Sequence, residues 1–146
     1  TGIAAALVVG GRVLAGAHGA AGEIGYLLRD RHDVGFAAGH APLEEYVSGS
    51  GLAARGTELL GRDTDAGWLF TAQEPGVRAL VDDALDELAR HVANLAVTVD
   101  AERIAVTGGL MRSAPRVLAA LRRRLDAAVP FPPTVVAARF RQDAAL

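Results

Sequence analysis

The sequence predicts an α/β fold in which a mixed sheet is combined with helices. Two apolar runs separated by a pair of glycines open the chain and indicate a β-hairpin. A long stretch after Pro75 has apolar residues at three- and four-residue spacing, which indicates an amphipathic helix. The last part alternates a short apolar run, two glycines, a helical pattern and another apolar run, which is typical of parallel strand pairing.

The hairpin is predicted over the first 17 residues. Residues 3 to 9 are almost continuously apolar, and Gly10 and Gly11 favour a tight turn. Residues 12 to 17 are predicted to form the returning strand. A glycine-rich stretch follows, and residues 23 to 29 are predicted to form a third strand.

The middle of the chain is predicted to hold a loop and two short helices. Residues 30 to 42 contain His, Asp, Gly and Pro without periodicity and predict a loop. Residues 43 to 60 have a helical pattern that the sequence Ser-Gly-Ser-Gly interrupts at 48 to 51, which indicates two helices at an angle.

Pro75 suits the first turn of the long helix, because the N–H that proline lacks would have no partner there. The apolar stripe of this helix consists of Val77, Val81, Ala84, Leu85, Leu88, Val92, Leu95 and Val99. Beyond it, residues 103 to 107 predict a buried strand, 115 to 128 a helix, and 134 to 138 another strand.

Composition limits the function. A chain of 146 residues fits one domain, and a net charge of -2 gives no overall electrostatic reason to bind nucleic acid. The absence of cysteine excludes disulfides and thiolate zinc sites. No apolar run reaches the roughly 20 residues of a membrane span, and no basic lead of a signal peptide is present, so we expect a cytoplasmic protein without a membrane partner.

Glu23 is the first candidate binding residue. It lies in the glycine-rich segment from Gly16 to Gly25, where backbone can approach a ligand closely and a carboxylate could accept hydrogen bonds from a polyol. The alternative is a hairpin connection with an exposed glutamate.

Glu44 and Tyr46 form a second candidate group near a predicted helix start. A carboxylate there could bind a ligand, or it could simply cap the helix and complement its dipole.

Gly108 and Gly109 are the third candidate. They follow a buried strand and precede a helix, which is where α/β sheets place nucleotides, although ordinary turn chemistry also explains the pair. His32, Asp33 and His40 share a loop, but their spacing matches no zinc signature.

These stretches, in this order, resemble the ROK family of bacterial sugar kinases and sugar-responsive transcriptional repressors. Thr1-Gly2 looks like the tail of the family's second phosphate loop, and Gly108-Gly109 resembles its adenosine motif. The Gly16 to Gly25 segment resembles the family's sugar-binding loop, which makes Glu23 a sugar-hydroxyl ligand. Leu43-Glu44, followed by Tyr46 and Ser48-Gly49, looks like the continuation of the family's cysteine-rich motif, which makes Glu44 the second sugar carboxylate. Residues 138 to 146 resemble the approach to the final helix.

The resemblance implies an actin-like fold of two lobes, as in hexokinases and chaperone ATPases. Residues 1 to 146 would be a single partial domain, the C-terminal lobe of a ROK domain, and both ends look cut from a longer chain.

The sequence departs from the family at its zinc site. Tyr26 replaces the histidine that contacts sugar and zinc, and Gly35, Ala37 and Pro42 replace the three cysteines, so zinc is not expected. The Tyr26 hydroxyl can still donate a hydrogen bond, and the expected sugar-binding set is therefore Glu23, Tyr26 and Glu44.

No catalytic residue is expected within this chain. In the family, the catalytic Asp and the first phosphate loop lie upstream, so we expect no kinase activity and no bound cofactor for these residues alone. A kinase parent would use ATP and Mg²⁺.

Our sequence-based preference is the sugar-binding module of a transcriptional regulator, since binding alone tolerates the loss of the histidine and zinc. Such a protein would bind DNA only through a preceding N-terminal domain. One alternative is the C-terminal lobe of an ATP-dependent hexose kinase, and another is a dimerisation domain without ligand. A homodimer is expected in each case, because a single lobe would expose apolar surface.

Overall fold

The computed structural model describes residues 2 to 139. The predicted nucleotide contact at Thr1 therefore lies outside the described residues, as does most of the predicted approach to a final helix.

A short hairpin opens the described chain. Strands β1 (Val8–Val9) and β2 (Arg12–Val13) pair antiparallel, with Val8 opposite Val13. Gly10 and Gly11 have φ values of 56° and 76°, as the favoured two-residue hairpin turn requires. The predicted hairpin is confirmed, although each regular strand is only two residues long.

The prediction of a third strand over residues 23 to 29 is wrong. Ile24–Tyr26 forms a 3₁₀ turn in which Ile24 and Gly25 are buried. Gly22 has a φ of 95°, and its carbonyl accepts hydrogen bonds from the N–H groups of Ala5 and Ile24, each at 2.7 Å. These bonds close the chain into a turn, which prevents it from extending.

Five α-helices follow within the described residues, and both helices predicted between residues 43 and 60 are confirmed. They are α1 (Pro42–Val47), α2 (Gly49–Leu60), α3 (Ala66–Thr71), α4 (Pro75–Val99) and α5 (Ala114–Ala128). Ser48 separates the first two helices, because its hydroxyl accepts a hydrogen bond from the N–H of Gly51 and so caps α2.

Helix α3 was not predicted. Six residues are too few to show a helical period, and the signal that remains is the cap, since the carboxylate of Asp65 accepts a hydrogen bond from the N–H of Trp68.

The two predicted strands at the C-terminal end pair in parallel, as expected. Strand β3 (Arg103–Val106) lies beside β4 (Thr134–Ala137) in a register that places Arg103 opposite Thr134. Helix α5 connects them, so this part is a β-α-β unit.

Helix α4 is the centre of the core and packs against α1, α2, α3 and α5. Its buried face includes Val77, Val81, Ala84, Leu85, Leu88, Ala89, Ala93 and Ala96, which contains most of the predicted stripe. Among the described residues, no helix has the length and apolarity that crossing a membrane requires.

Candidate sugar and nucleotide site

Glu44 lies in the first turn of α1, and its side chain points away from its own helix. Its Oε2 accepts a hydrogen bond from the N–H of Ile3 at 3.1 Å. A Cβ added to Gly2 would lie 2.4 Å from that oxygen, and one added to Gly25 would lie 3.0 Å from it. The structure thus joins the start of the described chain, the glycine-rich loop and α1 around one carboxylate.

The capping alternative applies to the neighbouring glutamate instead. Glu45 accepts a hydrogen bond from the N–H of Ala41 at 3.0 Å, and this bond holds the pKa of Glu45 below its ordinary value. Because Glu45 caps α1, Glu44 is left for a different role.

Glu23 and Tyr26 lie on either side of the contact between Gly25 and Glu44. Glu23 is exposed, and its carboxylate makes no hydrogen bond to any described residue. Tyr26 is 45% exposed, and its ring packs edge-on against Phe36 with 5.5 Å between the centroids. Of the predicted sugar-binding set, Glu44 is thus held by a hydrogen bond, whereas Glu23 and Tyr26 are accessible.

The loop after Tyr26 is ordered by hydrogen bonds and packing. The carboxylate of Asp33 accepts hydrogen bonds from the N–H groups of Arg29 and Asp30 at 2.6 and 3.2 Å. His40 pairs with Glu45 at 3.2 Å. Within residues 2 to 139, no group of three or more His, Cys, Asp or Glu side chains could hold a metal ion.

Gly108 and Gly109 lie directly after β3. Gly108 has a φ of 96°, and its carbonyl accepts a hydrogen bond from the N–H of Met111 at 3.0 Å, so the chain turns here toward α5. Among residues 2 to 139, a Cβ at either glycine would have no neighbour within 4 Å. This open backbone leaves room for a flat ring, as a nucleotide base requires.

Sequence reasoning missed a cluster next to Glu44, which we call the tyrosine clamp: Tyr46, Arg29, Arg55 and Asp83. The guanidinium carbons of Arg29 and Arg55 lie 3.8 and 3.6 Å from the centroid of the Tyr46 ring. The Tyr46 hydroxyl donates a hydrogen bond to Asp83, and Arg55 pairs with the same carboxylate at 3.0 Å. Burial and the bond to Asp83 raise the pKa of Tyr46. No local pattern connects residues this far apart in sequence.

An open depression of about 440 Å³ lies beside the tyrosine clamp and is lined in part by Arg29, His40 and Tyr46. Glu23, Tyr26 and Glu44 do not line it. The depression therefore belongs to the tyrosine clamp and not to the predicted sugar residues.

This architecture is the actin-like fold of sugar kinases. The chain has a TM-score of 0.77 and 30% identity to a solved ROK hexokinase from Thermus thermophilus, over 92% of this chain and 48% of that one. The profile of the ROK family matches residues 1 to 146, and the chain belongs to this family.

Curated relatives that match the whole chain include two enzymes. One is a bifunctional enzyme NanE/NanK from Brucella melitensis, 35% identical, of which this chain covers 28%. The other is an N-acetylmannosamine kinase from Shigella boydii, 34% identical, of which this chain covers 51%. The chain thus spans about half or less of the length of these relatives.

A ROK transcriptional regulator described as a homologue of the Escherichia coli MLC protein shares the fold. The TM-score is 0.69 at 18% identity, over 90% of this chain and 36% of that chain. At this identity the likeness concerns the fold alone, so the comparisons do not favour our sequence-based preference for a regulator.

Proposed function

We propose that this chain forms the sugar-binding part of a ROK sugar kinase that acts on N-acetylmannosamine or a similar hexose. The observation that carries the proposal is the placement of the Glu44 carboxylate between Gly2, the Ile3 N–H and Gly25. The N-acetylmannosamine kinase described above, which is 34% identical, supports a kinase acting on an amino sugar.

The chemistry of these side chains suits the recognition of a polyol. Ionised carboxylates only accept hydrogen bonds, and sugar hydroxyls donate them. Glu23 offers two oxygens and Glu44 its Oε1, while the Tyr26 hydroxyl is a donor. Holding the sugar in one orientation is the contribution of these residues to phosphoryl transfer, since such reactions depend mainly on positioning and electrostatic stabilisation.

ATP with Mg²⁺ is the phosphoryl donor in this proposal. The open backbone at Gly108 and Gly109 supports a place for the adenosine, because no described residue comes within 4 Å of a Cβ added at either glycine.

Calorimetry on a protein that carries this chain together with an N-terminal lobe tests the sugar site. We expect Glu23→Gln and Glu44→Gln to weaken the binding of N-acetylmannosamine by about tenfold or more, because each removes a charge-assisted hydrogen bond.

Glu45→Gln is the matched control, because Glu45 is the adjacent carboxylate on the same helix and its bond is to Ala41. Its sugar affinity should equal that of the wild type. Unchanged affinity in Glu44→Gln would contradict the proposed site, and unchanged affinity in Glu23→Gln would remove Glu23 from it.

Tyr26 favours the regulator as the second candidate function. A half-exposed tyrosine stands where the family's histidine contacts sugar and zinc, and a protein that only binds its ligand tolerates this change more easily. The two functions differ in turnover: a regulator binds the sugar in the calorimeter but produces no sugar phosphate when ATP is added.

A further inference from the structure

Helix α1 carries Glu44 but is only six residues long. A helix of this length does not hold its own conformation in water, so contacts with the rest of the protein must fix it. Leu43 and Val47 supply one such contact, because both are buried in the core. Apolar packing is not directional, however, and does not by itself set the rotation of a short helix about its axis.

Tyr46 supplies a directional contact on the other side of α1. Two residues correspond to a rotation of about 200° around an α-helix, so the side chains of Glu44 and Tyr46 leave it in nearly opposite directions. Glu44 is bound toward Ile3, whereas Tyr46 is bound toward Asp83 of α4. The helix is thus held from both sides by polar contacts.

The two guanidinium groups pack against the Tyr46 ring. Arg55 of α2 lies on one face of the ring, donates to the Tyr46 carbonyl at 3.0 Å, and pairs with Asp83. Arg29 lies 3.8 Å from the ring centroid, and its own carbonyl accepts a hydrogen bond from Arg90 of α4 at 3.0 Å. The tyrosine clamp therefore ties α1 to α2, to α4 and to the loop that follows Tyr26.

We propose that Tyr46 is a positioning residue, which through the tyrosine clamp sets the direction in which α1 presents Glu44 to the sugar. This inference rests on the proposed sugar site. It assigns to Tyr46 no contact with the sugar, because Tyr46 and Glu44 leave α1 in nearly opposite directions.

A double-mutant cycle separates positioning from general stability. On the protein that carries this chain and an N-terminal lobe, N-acetylmannosamine binding is measured for the wild type, Tyr46→Phe, Glu44→Gln and the double variant. Phenylalanine keeps a ring between the two arginines but removes the bond to Asp83. We expect Tyr46→Phe to raise the Kd about fivefold in the wild type and to have no further effect in Glu44→Gln, since residues that act through one another are not additive.

Asp83→Ala should raise the Kd as Tyr46→Phe does, and Asp82→Ala is its matched control. Asp82 is the neighbouring residue on α4 and also pairs with an arginine, Arg116 of α5, at 2.8 Å. Its removal should leave the Kd unchanged. The binding stoichiometry is a second readout, because a loss of folded protein lowers the stoichiometry and leaves the Kd as it was.

Each outcome decides between the two proposals. Binding that Glu44→Gln weakens but Tyr46→Phe leaves intact overturns the positioning role alone. Equal effects of Tyr46→Phe in the wild type and in Glu44→Gln also overturn it. A wild type that binds no sugar, or a Glu44→Gln variant that binds like the wild type, overturns the proposed function and the positioning role with it.

Discussion

At the scale of single residues, the candidate site depends on glycines as much as on carboxylates. Gly2 and Gly25 leave the space that Glu44 Oε2 occupies, so their lack of a side chain is a condition for the position of this carboxylate. Sequence reasoning identified Glu44 but could not distinguish its role from capping, because the partner that decides this, Ile3, is 41 residues away. Only the folded chain shows that Glu45 is the cap.

Gly2→Ala tests this geometry. The added Cβ would lie 2.4 Å from Glu44 Oε2, which is the far end of a flexible side chain and can move. We expect a fall in thermal stability of only about 1 kcal/mol or less but a clear loss of sugar affinity, about tenfold, because the carboxylate is displaced. Thermal unfolding and calorimetry measure the two effects. Unchanged affinity would show that the position of Glu44 is unimportant.

Between about pH 7.5 and 5.5, we expect His91 on α4 to contribute to the pH dependence of stability, and Glu87 to contribute at lower pH. Burial, and then the charge of Arg90, lower the pKa of His91 below its ordinary 6.5. Burial opposes the ionisation of Glu87, but the hydrogen bond and charge of Arg90 outweigh it and lower the pKa of Glu87 below 4.5. The shift at Glu87 stabilises the folded state at neutral pH, whereas the shift at His91 destabilises it when the pH falls and the imidazole must be protonated.

The direction of the change in unfolding free energy follows from which state, folded or unfolded, binds more protons at a given pH. As the pH falls below about 6.5, the unfolded state protonates His91 before the folded state does, so the free energy of unfolding decreases. The contribution of Glu87 is lost only below about pH 4.5. Urea unfolding from about pH 7.5 to 5.5 should show this decrease in the wild type, with a smaller slope in His91→Gln. An equal slope in both proteins would assign the decrease to other groups.

At the scale of elements, the change of direction between α1 and α2 determines the orientation of α1, the helix that carries Glu44. A Cβ on Gly51 would lie 2.1 Å from the carbonyl oxygen of Glu45, so the two helices approach more closely than any side chain at this position allows. The interruption of the helical pattern at residues 48 to 51 predicted this change of direction. The 3₁₀ turn at Ile24–Tyr26 was not predictable in the same way, because apolar residues in a short run are compatible with a strand as well.

Gly51→Ala should therefore be strongly destabilising, by about 2 kcal/mol or more, because the backbone of α1 would have to shift. Gly49→Ala is the matched control in the same helix, since its Cβ would lie 3.8 Å from the nearest atom, an ordinary contact. We expect the control to be neutral or slightly stabilising in urea unfolding. Equal stability of the two variants would contradict the close approach.

At the scale of the whole molecule, the described residues form an open arrangement. Strands β3 and β4 make a two-stranded parallel sheet, whereas parallel sheets normally have more strands and are covered on both faces. Exposed apolar side chains are found at several places in the described residues: Val8, Val9, Val13, Leu14, Val97 and Phe131. The α/β pattern and the parallel pairing were predictable because they follow from local periodicity. The packing of α1 against the glycine loop was not, since it depends on contacts between distant residues.

The exposed apolar side chains predict how the 146-residue chain behaves on its own. We expect it to self-associate with increasing concentration, because large exposed apolar patches favour association. Sedimentation velocity should show this, and Val8→Thr combined with Val13→Thr should reduce it. A monomer at all concentrations would show that the exposed valines do not drive association.

Helix α3 has a practical consequence for such measurements. Trp68 is the only tryptophan in the sequence, and its backbone N–H donates a hydrogen bond to the carboxylate of Asp65. The guanidinium carbon of Arg62 lies 4.6 Å from the centroid of the Trp68 ring. Its fluorescence therefore reports from one known place, next to a cation and against the core. Unfolding can be followed by fluorescence without a label. A spectral change on adding sugar would mean that sugar binding alters the surroundings of Trp68 on α3.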